Sequence, residues 1–177
     1  MEKKECQNCH QVLSLTHYRK LKGAHNSKTY RSNVCRSCKL DKDRLRISSS
    51  PEQFINNLIK GLKHNRTKRY SLEDKRFDIT TADLVESYYK QDGKCALSGK
   101  TMTYLKDGKG RKDTNISIDR IDPLSPYIKE NIQLVCYRTN ILKHNLGEKE
   151  LMEWIKLIYY TKGASNGETH RQAGTLC

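Results

Sequence analysis

The chain has no apolar run that approaches the ~20 residues of a membrane-spanning helix. Its first residues, MEKKECQ, lack the apolar core of a secretory signal peptide, and no basic segment carries a clean apolar stripe. We therefore expect a protein that is not secreted and has no membrane partner. The expected location is intracellular, in the cytoplasm of a host cell, including the case of a protein encoded by a phage or virus.

Hydrophobic and acidic residues are both in short supply. Hydrophobic residues fill 35% of the 177 positions, so the core is thin unless a metal replaces part of it. The 20 Asp and Glu are outnumbered by 34 Lys and Arg, which gives a net charge of +14. This balance favours a polyanionic partner over a merely soluble basic protein. Aromatic residues reach only 7%, which ranks RNA binding by base stacking last among the nucleic-acid hypotheses.

Changes in composition divide the chain into four predicted parts. Residues 1–47 form a four-cysteine module, 48–92 a basic helical segment and 93–162 a core of strands and helices. The stretch 163–177 has almost nothing to bury and should be a disordered tail.

Helix signals frame the middle of the chain. Ser50 and Pro51 predict a helix start, with the helix running to about Thr67. Thr80, with Asp83 three residues on, predicts the start of a second helix that ends before Asp92-Gly93. Basic side chains crowd the end of the first helix and are predicted to bind nucleic acid: Lys63, Arg66, Lys68 and Arg69.

Two strands and two further helices are predicted in the C-terminal half. Residues 116–118 and 132–136 alternate apolar and polar side chains, which is typical of half-buried strands. The pattern becomes helical from Tyr137. A final helix, from Glu148 to about Tyr160, carries the apolar residues Leu151, Trp154, Ile155 and Ile158.

Two CxxC pairs provide the clearest motif in the chain, namely Cys6, Cys9, Cys35 and Cys38. Zn²⁺ prefers four thiolate or imidazole ligands, and each CxxC turn presents two sulfurs from one tight knuckle. The two pairs are therefore predicted to close one structural zinc site. A redox CxxC needs a βαβ context that this polar region does not offer. Four thiolates leave no open coordination position, so this zinc should stabilise the module and take no part in catalysis.

Asp119 and Asn140 are the candidate ligands of a second, catalytic cation. Asp119 ends the first predicted strand and points away from the side of Ile116 and Ile118, while Asn140 lies on the following helix. A strand end packed on a helix brings a carboxylate and an amide oxygen to one ion. Mg²⁺ is the expected cation, and Mn²⁺ suits the same ligands. A cation held in this way supports the cleavage of phosphodiesters.

The segment SIDRIDPLSPYIKENIQLVCYRTNILKHNL resembles the ββα-metal core of HNH endonucleases, of the phage, homing or PacI-like restriction type. The match covers roughly Gly93 to Trp154, and the four-cysteine module resembles that of the PacI-like subgroup. The resemblance implies an α+β fold: a small zinc-stapled module, then helices and a ββα-metal core. It also implies catalytic metal ligands at Asp119 and Asn140, and a catalytic-site Asn131 that pins the loop between the strands by hydrogen bonds to its backbone.

Arg120 departs from the common HNH pattern, which places a water-activating His after the strand Asp. An arginine cannot give up its proton, so Arg120 is expected to clamp a phosphate and stabilise developing charge, as the Asp-Arg pair of the PacI-like subgroup implies. The base must then come from the metal site or from a side chain, with Tyr127, His64 and His144 left open. Lys143, the Lys of the Asn-x-x-Lys helix pattern, is predicted to contact nucleic acid. So is His144, which falls one turn after Asn140 and is therefore expected on the same helix face.

The sequence thus predicts a metal-dependent endonuclease that hydrolyses phosphodiester bonds of double-stranded DNA, with a homodimer left open. The alternative is a non-catalytic, regulatory zinc-ribbon protein that binds nucleic acid. Relatives with two zincs carry further CxxC pairs, where this chain keeps only Cys95 and Cys136. These two thiols are expected to be small buried hydrophobes.

Overall fold

The computed structural model describes residues 2–21, 31–69 and 77–163, with no side chains described for 65–69 and 163. The predicted tail therefore lies almost wholly outside the described residues. The mixed helical and stranded architecture confirms the predicted α+β class. In chain order the elements are β1 (Lys3–Glu5), β2 (Val12–Ser14), α1 (Arg36–Ile47), α2 (Pro51–Arg69), β3 (Phe77–Asp78), α3 (Thr81–Lys90), β4 (Ile116–Arg120), β5 (Tyr127–Ile128), β6 (Ile132–Cys136), α4 (Tyr137–Lys143) and α5 (Glu148–Gly163).

The N-terminal part is a β-hairpin placed against the start of α1. Strands β1 and β2 pair antiparallel, with Lys3 opposite Ser14. The buried residues beneath the hairpin are three cysteines and Tyr18, whose hydroxyl donates to the Lys4 carbonyl at 2.7 Å. Few apolar side chains pack here, so hydrophobic burial alone contributes little to the stability of this part.

Helices α2 and α3 begin where the sequence predicted. Ser50 Oγ accepts the Gln53 N–H at 3.3 Å at the start of α2. Thr80 and Asp83 form a reciprocal capping box at the start of α3, with the Asp83 N–H on Thr80 Oγ1 at 3.2 Å and the Thr80 N–H on Asp83 Oδ2 at 2.9 Å. Both helices bury apolar side chains in the main core, which they share with β4 and β6.

Strands β4 and β6 form an antiparallel pair that runs directly into α4. Ile116 lies opposite Cys136, and Arg120 opposite Ile132. The prediction of half-buried strands is wrong, because β4 is buried on both faces. Ser117, whose face was expected to be open, is only 6% exposed. The reason is that α4 follows β6 without a loop and packs against both strands.

Helix α5 extends away from this core. Its predicted start at Glu148 is confirmed, and it continues three residues beyond the predicted end. Leu151 is buried, whereas Trp154, Ile155 and Ile158 are each about half exposed, so most of the apolar set expected on this helix lies outside the core. None of the helices within the described residues has the length and apolarity needed to cross a membrane.

Candidate functional site

The four cysteines of the N-terminal module meet at one point. Their Sγ atoms all lie within 4.8 Å of one another, which confirms the predicted cluster. Cys6, Cys35 and Cys38 are buried, and Cys9 is exposed. The Cys35 N–H donates to Cys6 Sγ at 3.3 Å, and this bond, with others from the backbone of Cys9 and Asn8, lowers the pKa of the Cys6 thiol to about 6. In the absence of a metal, hydrogen bonding to Cys35 raises the pKa of the Cys38 thiol to about 12. A bound cation favours the thiolate form further, so the donor set and its surroundings fit Zn²⁺.

Asp119 occupies a closed position on the face of β4 that α4 covers. Its side chain is 5% exposed, and its Oδ1 accepts from Lys143 Nζ at 3.1 Å. Its Oδ2 accepts from Gln133 Nε2 at 3.0 Å. The prediction that Lys143 contacts nucleic acid is wrong for this conformation, because the lysine is completely buried and its ammonium neutralises Asp119.

Gln133 joins this ion pair to α5. Its Nε2 also donates to Glu148 Oε1 at 2.7 Å, so one amide nitrogen bridges two carboxylates. A buried ion pair stabilises a fold only where further hydrogen bonds compensate for the lost hydration. Here the bridge from Gln133 and a bond from Lys143 Nζ to the Arg120 carbonyl at 2.7 Å supply them.

Asn140 is fixed against the open edge of β4. Its Nδ2 donates to Ser117 Oγ at 2.8 Å and to the Ile118 carbonyl at 3.0 Å. Both hydrogens of the amide nitrogen are thereby used, which orients the amide oxygen away from the strand. Asn140 and Lys143 lie one helical turn apart, so both reach the same stretch of β4.

The carboxylate and the amide fit a hard cation in their chemistry. Oxygen donors of these two kinds are the ligands that Mg²⁺ takes in proteins. Asp119 has both oxygens engaged, but each retains a second lone pair. A cation at Asp119 therefore shares the carboxylate with Lys143 or displaces its ammonium.

Arg120 points to the opposite face of β4 from Asp119, as strand alternation requires. Its guanidinium donates to the Ser125 carbonyl at 3.0 Å and lies 5.1 Å from the centre of the Tyr127 ring. It is partly exposed, so some of its five N–H donors remain directed outward.

Asn131 pins the loop between β4 and β6, as predicted. Its Oδ1 accepts the Asp122 N–H at 2.8 Å, and its Nδ2 donates to the carbonyls of Asp122 and Pro126 at 3.0 and 2.9 Å. All three partners belong to the loop backbone. The same loop supplies Ser125, so Asn131 indirectly fixes the place of Arg120.

A polar cleft of about 280 Å³ lies between α2 and the edge of β4. Asn140, Ser117 and Tyr127 line one side, and Asn57 and Arg111 lie across from them. Sequence reasoning missed Asn57 and Arg111, since Asn57 sits in an amphipathic helix and Arg111 in a polar loop. No local pattern distinguishes either from other surface residues.

The other residues predicted to contact nucleic acid or to act as the base lie at separate places on the described part of the chain. His144 does not continue the face of Asn140, because α4 ends at Lys143 and His144 adopts a positive φ of 52°. Its Nδ1 lies 2.8 Å from Asn145 Oδ1. Lys63 and His64 are exposed on α2, with Lys63 Nζ 5.7 Å from the Phe77 ring centre. The side chains predicted to follow them on this helix lie outside the described residues: Arg66, Lys68 and Arg69.

Cys95 and Cys136 are both buried at 2% exposure, as expected. Cys95 is nevertheless more polar than a buried hydrophobe, since its Sγ accepts the Ser98 N–H at 3.4 Å and lies 3.8 Å from Thr139 Oγ1. Burial opposes ionisation of this thiol, but hydrogen bonds from Ser98 and the backbone of Cys136 lower its pKa to about 7.

Comparison with known proteins gives one loose likeness. No protein-family model matches the chain, and no curated protein matches it. Among solved structures, the chain is similar to the rare-cutting HNH restriction endonuclease PacI, with 16% identity and a TM-score of 0.41. The alignment covers 93% of this chain and 99% of that one. A likeness this loose does not equate residues one by one, so residue roles rest on the contacts described above.

Proposed function

We propose that the protein is a metal-dependent endonuclease of the HNH type, with Arg120 in place of the usual histidine, acting on double-stranded DNA. The observation that carries this proposal is the placement of Asn140. Helix α4 fixes its amide against β4 at the edge of a polar cleft, within a strand–strand–helix unit whose loop is pinned by Asn131. The net charge of +14 supports a polyanionic substrate.

The chain's own residues would divide the work as follows. Asp119 and Asn140 hold Mg²⁺ or Mn²⁺, which when bound stabilises charge on the phosphate and promotes deprotonation of water. Lys143 pairs with one oxygen of Asp119 at 3.1 Å. Arg120, held by the loop carbonyl and the Tyr127 ring, donates its outward N–H groups to the phosphate. The four-cysteine site holds structural Zn²⁺ and stays apart from the reaction.

Nicking of a supercoiled plasmid with Mg²⁺, with Mn²⁺ or with chelator tests the proposal. We expect nicking with either cation and none with chelator. Asn140→Ala should lower the rate by about 100-fold or more, because it removes an oxygen ligand. Leu142→Ala is the matched control, since Leu142 lies on the same helix and is 64% exposed. Equal nicking rates for Asn140→Ala and Leu142→Ala would show that Asn140 does not hold the catalytic cation.

A second candidate function is a zinc-stabilised, non-catalytic DNA-binding protein. The buried Asp119–Lys143 pair favours it, because the lysine already supplies the positive charge that a cation would bring. This candidate predicts salt-dependent DNA binding by the wild-type protein without nicking under either cation. It also predicts that Asn140→Ala binds DNA as tightly as the wild type.

A further inference from the structure

The polar cleft beside Asn140 continues into a second cavity. This adjoining cavity has a volume of about 430 Å³ and lies between α1, α2 and the loop 105–115 that precedes β4. The two cavities share the lining residues Asn57, Leu58 and Arg111, so Arg111 lies at their junction. Together they form one groove, and a long ligand that enters beside Asn140 can continue past Arg111.

The charged residues that line this groove are mostly basic. Among the described lining residues, Arg44, Lys106 and Arg111 outnumber the single acid, Asp43. The Asp43 carboxylate already accepts from Lys39 Nζ at 3.1 Å, which reduces the negative field it adds to the groove. A concave surface of net positive charge attracts an extended anion, and the backbone of a nucleic acid is such an anion.

Both acids of the loop 105–115 already have a cationic partner. Asp107 pairs with Lys112 at 2.7 Å, and Asp113 pairs with Arg138 at 3.0 Å. Arg111 is exposed and has no acidic partner among the described residues. Its positive charge is therefore available to an anion from outside the protein.

Tyr137 restrains the guanidinium of Arg111. The Arg111 Cζ lies over the Tyr137 ring, 5.1 Å from its centre. Tyr137 begins α4, and its N–H donates to the Asn115 carbonyl at 2.8 Å, which ties the loop to the helix that carries Asn140. A contact with an aromatic ring orients a guanidinium without an acid or a carbonyl as partner. The N–H donors then remain available for the two parallel hydrogen bonds by which arginine binds phosphate.

We propose that Arg111 binds a backbone phosphate of DNA, on a strand that runs along the groove past Asn140. This phosphate is distinct from the one assigned to Arg120 under the proposed function. Arg111 thus positions the strand and takes no part in the reaction itself. The inference rests on the proposed function for its substrate, DNA, and does not depend on cleavage.

Fluorescence anisotropy with a short labelled DNA duplex tests this inference, using the full-length, zinc-loaded protein without added Mg²⁺ or Mn²⁺. We expect Arg111→Gln to weaken binding about 10-fold. It should also lower the slope of log affinity against log salt concentration by about 0.9, the value for one lost phosphate contact. Arg111→Lys keeps the charge but loses the fork of donors, so it should recover only part of the affinity.

Lys109→Gln is the matched control. Lys109 is exposed in the same loop and its substitution removes the same charge, but it lines neither cavity. We expect less than about a 2-fold change in affinity, because charges without a direct contact are largely screened at physiological salt. Unchanged circular dichroism and zinc content show that the variants are folded.

Tyr137→Leu gives an independent test, since it removes the ring and leaves every charge in place. We expect it to weaken DNA binding about 3-fold, because Arg111 is no longer restrained. The inference is overturned if Arg111→Gln and Lys109→Gln have equal affinities and salt slopes, or if the wild type does not bind DNA.

Plasmid nicking separates this inference from the proposed function. Arg111→Gln should raise KM for DNA more than it lowers kcat, as expected for a residue that positions the strand. A wild type that binds DNA with the predicted dependence on Arg111 but does not nick overturns the proposed activity and upholds this inference. A wild type that nicks DNA, with equal binding by the Arg111 and Lys109 variants, does the reverse.

Discussion

Cysteines meet at two places among the described residues, and the two places are held together in different ways. In the N-terminal module, four thiols converge around a core that contains Tyr18 and little other buried apolar material. At the second place, Cys95 and Cys136 lie within the large core cluster of β4, β6, α2 and α3. There, Cys95 Sγ lies 3.8 Å from Thr139 Oγ1 and is hydrogen-bonded by Ser98.

The difference lies in how much apolar packing surrounds the cysteines. Packing already holds the Cys95 turn, through backbone bonds such as the Cys95 N–H to the Lys100 carbonyl at 2.8 Å and through buried neighbours such as Leu134. The N-terminal module lacks that burial, so a cation bound by the four cysteines would supply what the hydrophobic effect supplies in the core.

Removal of zinc should unfold the N-terminal module and leave the β4–β6–α4 core intact. Structural zinc contributes about 10–16 kcal/mol in small zinc modules, far more than the few buried side chains here can replace. Cys35→Ser should have the same effect as a chelator. Hydrogen exchange read by mass spectrometry would show loss of protection in residues 2–47 and retained protection in residues 116–143. Metal analysis should give one zinc per wild-type chain.

Asp119→Ala should destabilise the core by about 3–5 kcal/mol, because it leaves the Lys143 ammonium buried without a partner. Asp119→Leu combined with Lys143→Met should recover most of that loss, since apolar side chains of similar size fill the space. Urea unfolding measures both. Equal stability of Asp119→Ala and of the double variant would show that the Asp119–Lys143 pair does not contribute to stability in this way. Under the proposed function neither variant nicks DNA. The double variant, which recovers stability but not nicking, therefore separates the catalytic role of Asp119 from its structural one.

Asn131→Ala should cost about 2–3 kcal/mol, because three hydrogen bonds to the backbone of the β4–β6 loop are lost from a residue that is 8% exposed. Glu130→Ala, at the neighbouring exposed position, is the control and should stay within about 0.5 kcal/mol of the wild type. Thermal unfolding gives both values. A zinc content unchanged in both variants would show that the loop is independent of the N-terminal module.

Cys95→Ala should have the smallest effect, about 1 kcal/mol, without loss of zinc. Its effect should depend on pH. Because the folded pKa of Cys95 is lowered from 9.0 to about 7, the thiolate contributes stability above pH 9 that is lost as the pH falls through 7. The pKa of Cys136 is raised by burial and by Cys95, so its titration lies above this window. The stability gap between wild type and variant, followed by urea unfolding, should therefore shrink from pH 9 to pH 7.

Local signals in the sequence predicted local structure well. The cap at Ser50 and the capping box of Thr80 and Asp83 depend on residues three positions apart, so the chain carries the whole interaction within one turn. The convergence of the two CxxC pairs was also predictable, because the chemistry of four thiols leaves few other arrangements in a polar segment.

Predictions about exposure failed where a distant element covers a surface. Lys143 was expected to face DNA, yet it is buried against Asp119, 24 residues earlier in the chain. His144 was expected to share the face of Asn140, yet the helix ends one residue before it. Arg111 was missed for the same reason, because it lines the cleft from a loop whose sequence has no recognisable pattern.

The amino-acid sequence was enough to predict the four-cysteine cluster, the starts of α2, α3 and α5, and the strongly basic charge. Each of these depends on residue type or on spacing within a few positions. Contacts between distant segments pair Lys143 with Asp119 and cover both faces of β4, and they leave most apolar side chains of α5 exposed. The physical reason is that burial and charge pairing arise between segments far apart in the chain, and local periodicity does not encode which segments meet.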